Sequence, residues 1–307
     1  MTMSIYTKSF RDDLPYFADL HASFLEFAPP HATHFVTVPE RDVSLFRSVG
    51  SARLEFVPIE ALLPRRFVST YAASQLLRRA PGKSSKMPSI DAINLRHPWP
   101  PVRGWILQQV LKLAFTATRQ DDVVLLADSE LTFIRPFTEE TFVRDGAVAW
   151  YCSSHPLTPD MHRHREWHSM ARRLLGLQDG VGRTDADHIT CPFAWSPDAV
   201  RRMLDHIETV AGRPWQDVLC AQLDLSEYIL FGTFVDVLGT DGDRRFPRSQ
   251  ALTHIRWGDE RLTAEGVPEF AAGILPHHIA ILIQSRSGTP LDVRADALAA
   301  ARAHVGH

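Results

Sequence analysis

The chain has 307 residues, 45% of them hydrophobic, and its 33 Lys and Arg against 36 Asp and Glu give a formal net charge of -3. That length can bury a sizeable core as one large domain or a domain with a smaller appendage, and the near balance of charge excludes a general basic field for nucleic acid. Cys152, Cys191 and Cys220 are odd in number and widely spaced, which excludes a disulfide framework or a zinc ribbon and points to a reducing cytoplasm. With no basic, apolar leader pattern and no run of about 18 apolar residues, the expectation is a chain without a transmembrane segment.

Strand and helix patterns alternate from the start. Met3 to Thr7 reads as a strand, Asp12 to Phe27 as a helix with apolar residues near a 3.6 period, and His34 to Val38 as a second strand. Pro39 opens a short helix through Phe46, and Leu54 to Val57 gives a third strand. This β-α-β-α-β opening predicts an α/β fold with a mostly parallel sheet. Residues 59 to 101 are rich in Pro, Arg, Ser and Lys and read as one or two helices around a mobile loop at 81 to 88. Val102 to Thr118 is a strong helix, with Trp105, Ile106, Gln109, Val110, Leu113 and Ala114 lining one side and Lys112 nearby.

That helix feeds the stretch that matters most. Val123-Val-Leu-Leu-Ala127 suits a strand covered on both faces, and it ends in Asp128-Ser-Glu130. Ligands of open α/β sheets bind outside the carboxyl ends of the strands, so the two acids fall where a ligand would. Two hard oxygen donors suit Mg²⁺ or Mn²⁺ shared with substrate phosphates. Later segments give a short helix at 139 to 144, a strand at 147 to 151, helices at 159 to 175 and 197 to 209, an apolar segment from His188 to Trp195, a buried unit at 226 to 237, a strand at 277 to 284 and an Ala-rich terminal helix or frayed end from Ala295.

Other chemical templates fail on spacing. Pro81-Gly-Lys-Ser84 has Leu77 where a phosphate loop needs glycine, and Gly180-Val-Gly182 lacks a third glycine. His162-Arg-His-Arg-Glu-Trp-His168 places its acid wrongly for a zinc protease, and no G-x-S-x-G elbow occurs. The basic residues Arg65-Arg66, Arg78-Arg79 and Lys83 to Lys86 read mainly as a solvated stretch.

Taken in order, Ile5-Tyr-Thr7-Lys-Ser9, the Trp105 to Leu113 helix and Leu125-Leu-Ala-Asp128-Ser-Glu130 resemble the GT-A fold of nucleotide-sugar glycosyltransferases. The likeness spans about residues 3 to 285. It is nearest to a poorly characterised bacterial branch, where Trp195-Ser-Pro, Ser226-Glu-Tyr228 and Thr253-His254-Ile-Arg-Trp257 also fit. The resemblance implies one GT-A-like domain over 1–290, with a nucleotide-sugar half to about 137, an acceptor half from 138, and a tail from 291. It implies a nucleoside-diphosphate sugar as donor, a small-molecule or saccharide acceptor, and Mn²⁺ or Mg²⁺ held by Asp128, Glu130 and a later histidine. His254 is the choice for that histidine, with His277 and His278 as rivals. Glu130 stands where the pattern usually has Asp, and its longer arm shifts the metal. Thr7 and Lys8 would face the base or ribose, while Arg103 and Lys112 would neutralise diphosphate. Glu227, among apolar neighbours, is the leading candidate for acceptor binding or general base, and Asp187 with His188 is a second pair; for a base that would invert configuration, the chain offers Glu227, Asp187 and Asp224. A nucleotidyltransferase, or a degenerate binder of sugar nucleotides, uses the same elements.

Overall fold

The computed structural model describes residues 1–70, 89–178 and 186–306. The glycines at 180 and 182 and the basic and loop residues between 71 and 88 therefore lie outside the described residues.

A five-stranded sheet organises the chain. Its strands are Met3–Lys8 (β1), Thr33–Thr37 (β2), Leu54–Phe56 (β3), Val123–Leu126 (β4) and, later, Phe193–Trp195, in the order Phe193–Trp195, β4, β1, β2, β3. The first four are mutually parallel, with Tyr6 opposite both Phe35 and Leu126; Phe193–Trp195 runs antiparallel to β4. This is the mostly parallel α/β sheet expected from the sequence.

Side-chain alternation divides the core between the two sheet faces. Ile5, Val123 and Leu125 face one cluster with Phe17, Phe24 and Val36, while Tyr6, Val124 and Leu126 face another with Leu111, Trp195 and Phe231. All four β4 side chains are fully buried, each stabilising the fold by about 1.5–3 kcal/mol. Helix Leu14–Phe27 (α1) starts with a proline in its first turn and buries Phe17, Leu20, Phe24 and Phe27, the i, i+3, i+7, i+10 stripe of an amphipathic helix. On the other face lies Gly104–Thr118 (α2), joined there by Pro197–Ala211 and by Glu227–Leu238 (α3).

After Glu130 the chain turns into Leu131–Phe133 (β5), the edge of a second sheet in the order Thr253–Arg256, Ala280–Ile283 (β6), β5. The acids thus occupy the corner between two sheets. Leu291–Val305 (α4) docks on Val267–Ala272 through buried Ala297 and Ala301, so of the two expectations for the Ala-rich end, terminal helix or frayed end, the helix is the one present.

Other expectations change. Among the described residues from 59 to 103, a helical turn at Ile59–Leu62 is followed by Phe67–Ser69, Ile90–Asn94 and Val102–Arg103, which form an antiparallel sheet with an irregular register between Ile90 and Ala92; Ile90-Asp-Ala-Ile-Asn lacks a clean apolar–polar alternation that would mark it as a strand. The helix at 139 to 144 is a 3₁₀ turn, Glu139–Thr141, followed by short strands.

Candidate active site at the sheet edge

The strand order creates a switch point. From β1 the chain builds outward to β2 and β3, then crosses back to lay β4 on the opposite side of β1. Crossovers leaving in opposite directions open a crevice outside the carboxyl ends of the two strands. Lys8 ends β1 on one side of it, and Asp128 follows β4 on the other. The two loop starts are tied by the Ser129 hydroxyl donating to Ser9 Oγ at 2.9 Å.

Lys112 reaches this corner from α2. Its ammonium, 2% exposed, donates to Asp128 Oδ1 and Glu227 Oε1 at 2.9 Å each and to the Tyr228 hydroxyl at 2.8 Å. Burial opposes its charge, but the Asp128 and Glu227 carboxylates outweigh burial and hold the lysine pKa well above its ordinary value. All three donors are used, so Lys112 orients Asp128 and does not itself reach a diphosphate. Asp128 is fixed further by its own N–H, which donates to Cys191 Sγ at 3.5 Å. Its side chain stays 29% exposed and within reach of a ligand.

Glu130 accepts the Ser285 N–H at 2.9 Å, and Arg294 of α4 bonds the carbonyls of Ile283 and Glu130. Asp13, in the 3₁₀ turn before α1, joins the acids: burial, then Glu130, pushes its pKa up to about 7, with Asp128 adding to the effect. Burial and Asp128 also raise Glu130, against the opposing Ser285 bond. Lys8 lies among these groups with its ammonium 5.1 Å from the Phe10 ring; burial lowers its pKa while Asp91 and Asp13 oppose the shift. The corner therefore gathers the carboxyl groups of Asp128, Glu130 and Asp13 beside the Lys8 ammonium, while Lys112 is committed to Asp128 and Glu227. Asp128 and Glu130 fit a divalent cation completed by substrate phosphates, the usual two-carboxylate arrangement for Mg²⁺.

The other expected residues are placed differently. Thr7 is fully buried; its hydroxyl donates to the Ala127 carbonyl at 2.8 Å and accepts from His34 at 3.0 Å, so it ties β1 to its neighbours and cannot face a nucleotide. Alternation sends Lys8 the other way. His254 packs against Phe270 at 4.6 Å between ring centroids and approaches Gly273, turned toward Val267–Ala272. Among the described residues no group of three or more His, Cys, Asp or Glu is arranged to hold a metal, so His254 does not complete a ligand set with Asp128 and Glu130. Its rival His278 accepts the Leu275 N–H at 3.0 Å through Nδ1, and His277 is its T-shaped ring neighbour.

Glu227 is 1% exposed and held by Lys112, which suits a charge partner rather than an acceptor-facing base. Asp224 is taken up by Arg163 and Trp167. Asp187 remains half-buried on the segment that returns to Cys191, its Oδ1 accepting the Ile189 N–H at 3.1 Å and lying 3.4 Å from His164 Nδ1. That segment packs closely on α3, since a Cβ at Gly232 would come within 2.2 Å of the His188 ring. The 162 to 168 histidines serve it too: His164 meets Asp187, and His168 meets the Ala186 carbonyl. Arg103 donates to the Leu223 carbonyl at 3.0 Å, outside the acid corner.

Sequence reasoning missed Asp13, Tyr228, Ser285 and Arg294 as members of this site. An Asp before a helix reads as a cap, and nothing in a linear pattern joins position 130 to 285. Tyr228 carried a usable signal, a phenol beside an acid in an otherwise apolar run.

The profile of a family of unknown function, DUF6492, matches residues 1–262. The chain belongs to that family. No curated protein matches this DUF6492 member. Among solved structures, the galactosyltransferase LgtC in complex with donor and acceptor sugar analogs is similar at 12% identity and a TM-score of 0.47, over 97% of this chain and 95% of that one. Mouse xyloside xylosyltransferase 1 in its apo form gives 10% identity and a TM-score of 0.46, over 94% and 99%. No helix among the described residues of this DUF6492 member is long and apolar enough to cross a membrane.

Proposed function

We propose that this protein is a GT-A-type glycosyltransferase that moves a sugar from a nucleoside-diphosphate sugar to an acceptor hydroxyl. The observation that carries the reading is the switch-point crevice, with Lys8 and Asp13 following β1 on one side and Asp128 and Glu130 following β4 on the other. A crevice at the carboxyl ends of parallel strands is where nucleotides bind, and its acids suit a phosphate-bearing ligand brought in with a cation.

In this reading Lys8 meets the donor's phosphates, and Lys112 holds Asp128 in one orientation so that it contacts the donor without competing for protons. A Mn²⁺ or Mg²⁺ ion held by Asp128 and Glu130 would supply positive charge to the diphosphate when bound. Asp187, held by its own loop and lying 3.4 Å from His164, would take the acceptor proton. The donor half covers about 1–137 and the acceptor half about 138–290, with 291–307 as the tail. Three free, buried cysteines suit a reducing, cytoplasmic setting.

The test is a thermal-shift panel of nucleoside diphosphates and nucleotide sugars, with and without Mn²⁺, on wild type and Asp128→Ala. One nucleotide class should stabilise the wild type in the presence of the ion and fail with the variant, since a ligand bound only to the folded state raises its stability. No shift with any nucleotide would remove the reading. Turnover releasing pyrophosphate rather than a nucleoside diphosphate would replace it with nucleotidyl transfer.

A further inference from the structure

Trp105 breaks the burial pattern of its helix. It stands 41% exposed on the first turn of α2, where the sequence suggested a core residue, and its indole N–H donates to the Leu225 carbonyl at 2.7 Å. Trp167 lies nearly parallel to it, 13° between planes and 6.0 Å between centroids. The Arg163 guanidinium lies over both rings, at 5.2 and 4.6 Å. Asp224 accepts from Arg163 at 3.2 and 3.3 Å and from the Trp167 N–H at 2.9 Å. Each polar group is thus held in place, and the rings are locked before any ligand arrives.

What the cluster offers follows from what it has already used. Both indole N–H groups are bonded, and the charge of Arg163 is matched by Asp224, so the patch has little net field for an anion or a cation. Left over are the exposed part of the Trp105 ring, backed by the buried Trp167, and the unbonded edges of a guanidinium and a carboxylate, 48% and 38% exposed. Sugars present an apolar face of C–H groups rimmed by hydroxyls that both donate and accept. A rigid aromatic surface bordered by a donor and an acceptor complements that pattern.

Its position is equally specific. Trp105, Gln109 and Lys112 occupy i, i+4 and i+7 of α2, one stripe; Gln109 accepts the Glu227 N–H and Lys112 reaches Asp128. Trp105 lies about 10 Å along the helix from Lys112, toward the end that projects past the strand termini, because α2 runs antiparallel to β4. The patch therefore flanks the crevice on its second-half side.

We propose that the exposed Trp105 ring, supported by the buried Trp167 and bordered by Arg163 and Asp224, forms a platform for a neutral saccharide, which serves as the acceptor; that role rests on the transferase reading above. The platform itself is tested by titrating lactose, maltotriose and chitotriose into wild type, Trp105→Ala and Trp105→Phe, followed by tryptophan fluorescence and calorimetry. At least one of the three should bind the wild type, with affinity falling about tenfold in Trp105→Ala and staying within about threefold in Trp105→Phe, as loss or retention of ring stacking requires. The nucleotide-induced thermal shift should be equal in all three proteins. Failure of all three saccharides to bind wild type, or undiminished binding by Trp105→Ala, would overturn the platform while leaving nucleotide binding as the measure of the transferase reading. Saccharide binding through Trp105 without any nucleotide shift would keep the platform and remove its acceptor role.

Discussion

Replacing Lys112 by Met isolates the charge arrangement behind Asp128. Methionine fills much of the lysine volume, so the change removes the ammonium more than the packing. Glu227, 1% exposed and donated to by Lys112, would be left as a buried acid without its counter-charge. Breaking a buried pair by removing one partner costs about 3–5 kcal/mol. For 307 residues the unfolding entropy is about 0.64 kcal/mol/K, so about 4 kcal/mol corresponds to a drop of about 6 °C in Tm. Scanning calorimetry of Lys112→Met at pH 7.5 measures it directly. The double variant Lys112→Met, Glu227→Met should recover at least half of the loss, because the orphaned charge goes with it. A single variant within about 1 °C of wild type, or a double variant no more stable than the single, would refute the assignment of Lys112 as the counter-ion of Glu227.

Ser51, His21, His34, Thr7 and the Ala127 carbonyl form a hydrogen-bonded chain with both imidazoles buried, and burial lowers His21 to about 4 and His34 well below its ordinary value. Neutral folded histidines stabilise fully above pH 6.5 and lose that contribution as pH falls toward 4, so the urea midpoint should drop across this window, with His21 alone contributing about 3 kcal/mol. His21→Gln should show a shallower decline; an equal decline would exclude His21 as a source. Asp13 has the opposite sign: its pKa of about 7 means that stability is lost as pH rises from about 4 to 7. Asp13→Asn, measured by thermal unfolding, should therefore stabilise at pH 8 by about 1–2 kcal/mol after allowing for partial exposure, and far less at pH 4. Gly232→Ala would push a methyl into the His188 ring and should cost about 1–3 kcal/mol, with faster hydrogen exchange in 186 to 191. Unchanged exchange there would contradict the close packing.

Period and burial made most of the frame legible in the sequence. The five-residue apolar run at Val123 had to be a doubly covered strand, and such a strand fixes the edge at which Asp128 and Glu130 emerge. The helix 102 to 118 was equally plain, but the exposure of Trp105 was not, since a tryptophan on an apolar stripe reads as core. The strand at Ile90–Asn94 was hidden by its setting among prolines and arginines. Roles depended on partners far along the chain. Glu227 reads as a reactive buried acid until the structure puts Lys112 beside it, and Thr7 reads as a strand-end ligand until the Ala127 carbonyl just after β4 is seen to take its hydroxyl. His254 was chosen by its place late in the chain, which says nothing about which side of its strand it occupies.

The Glu130 carboxylate and the Ser285 amide that holds it are 155 positions apart, and β6 sits between two strands that precede it in the chain. During synthesis, β5 and the acids would leave the ribosome long before β6 exists to pair with them. Until Ala280–Ile283 and Arg294 arrive, the edge of β5 is open and Glu130 has neither its amide nor its guanidinium partner. Contacts this distant form late and slowly. The acid corner is thus among the last parts of the molecule to be finished, and a nascent chain carries its sheet well before it carries a working site.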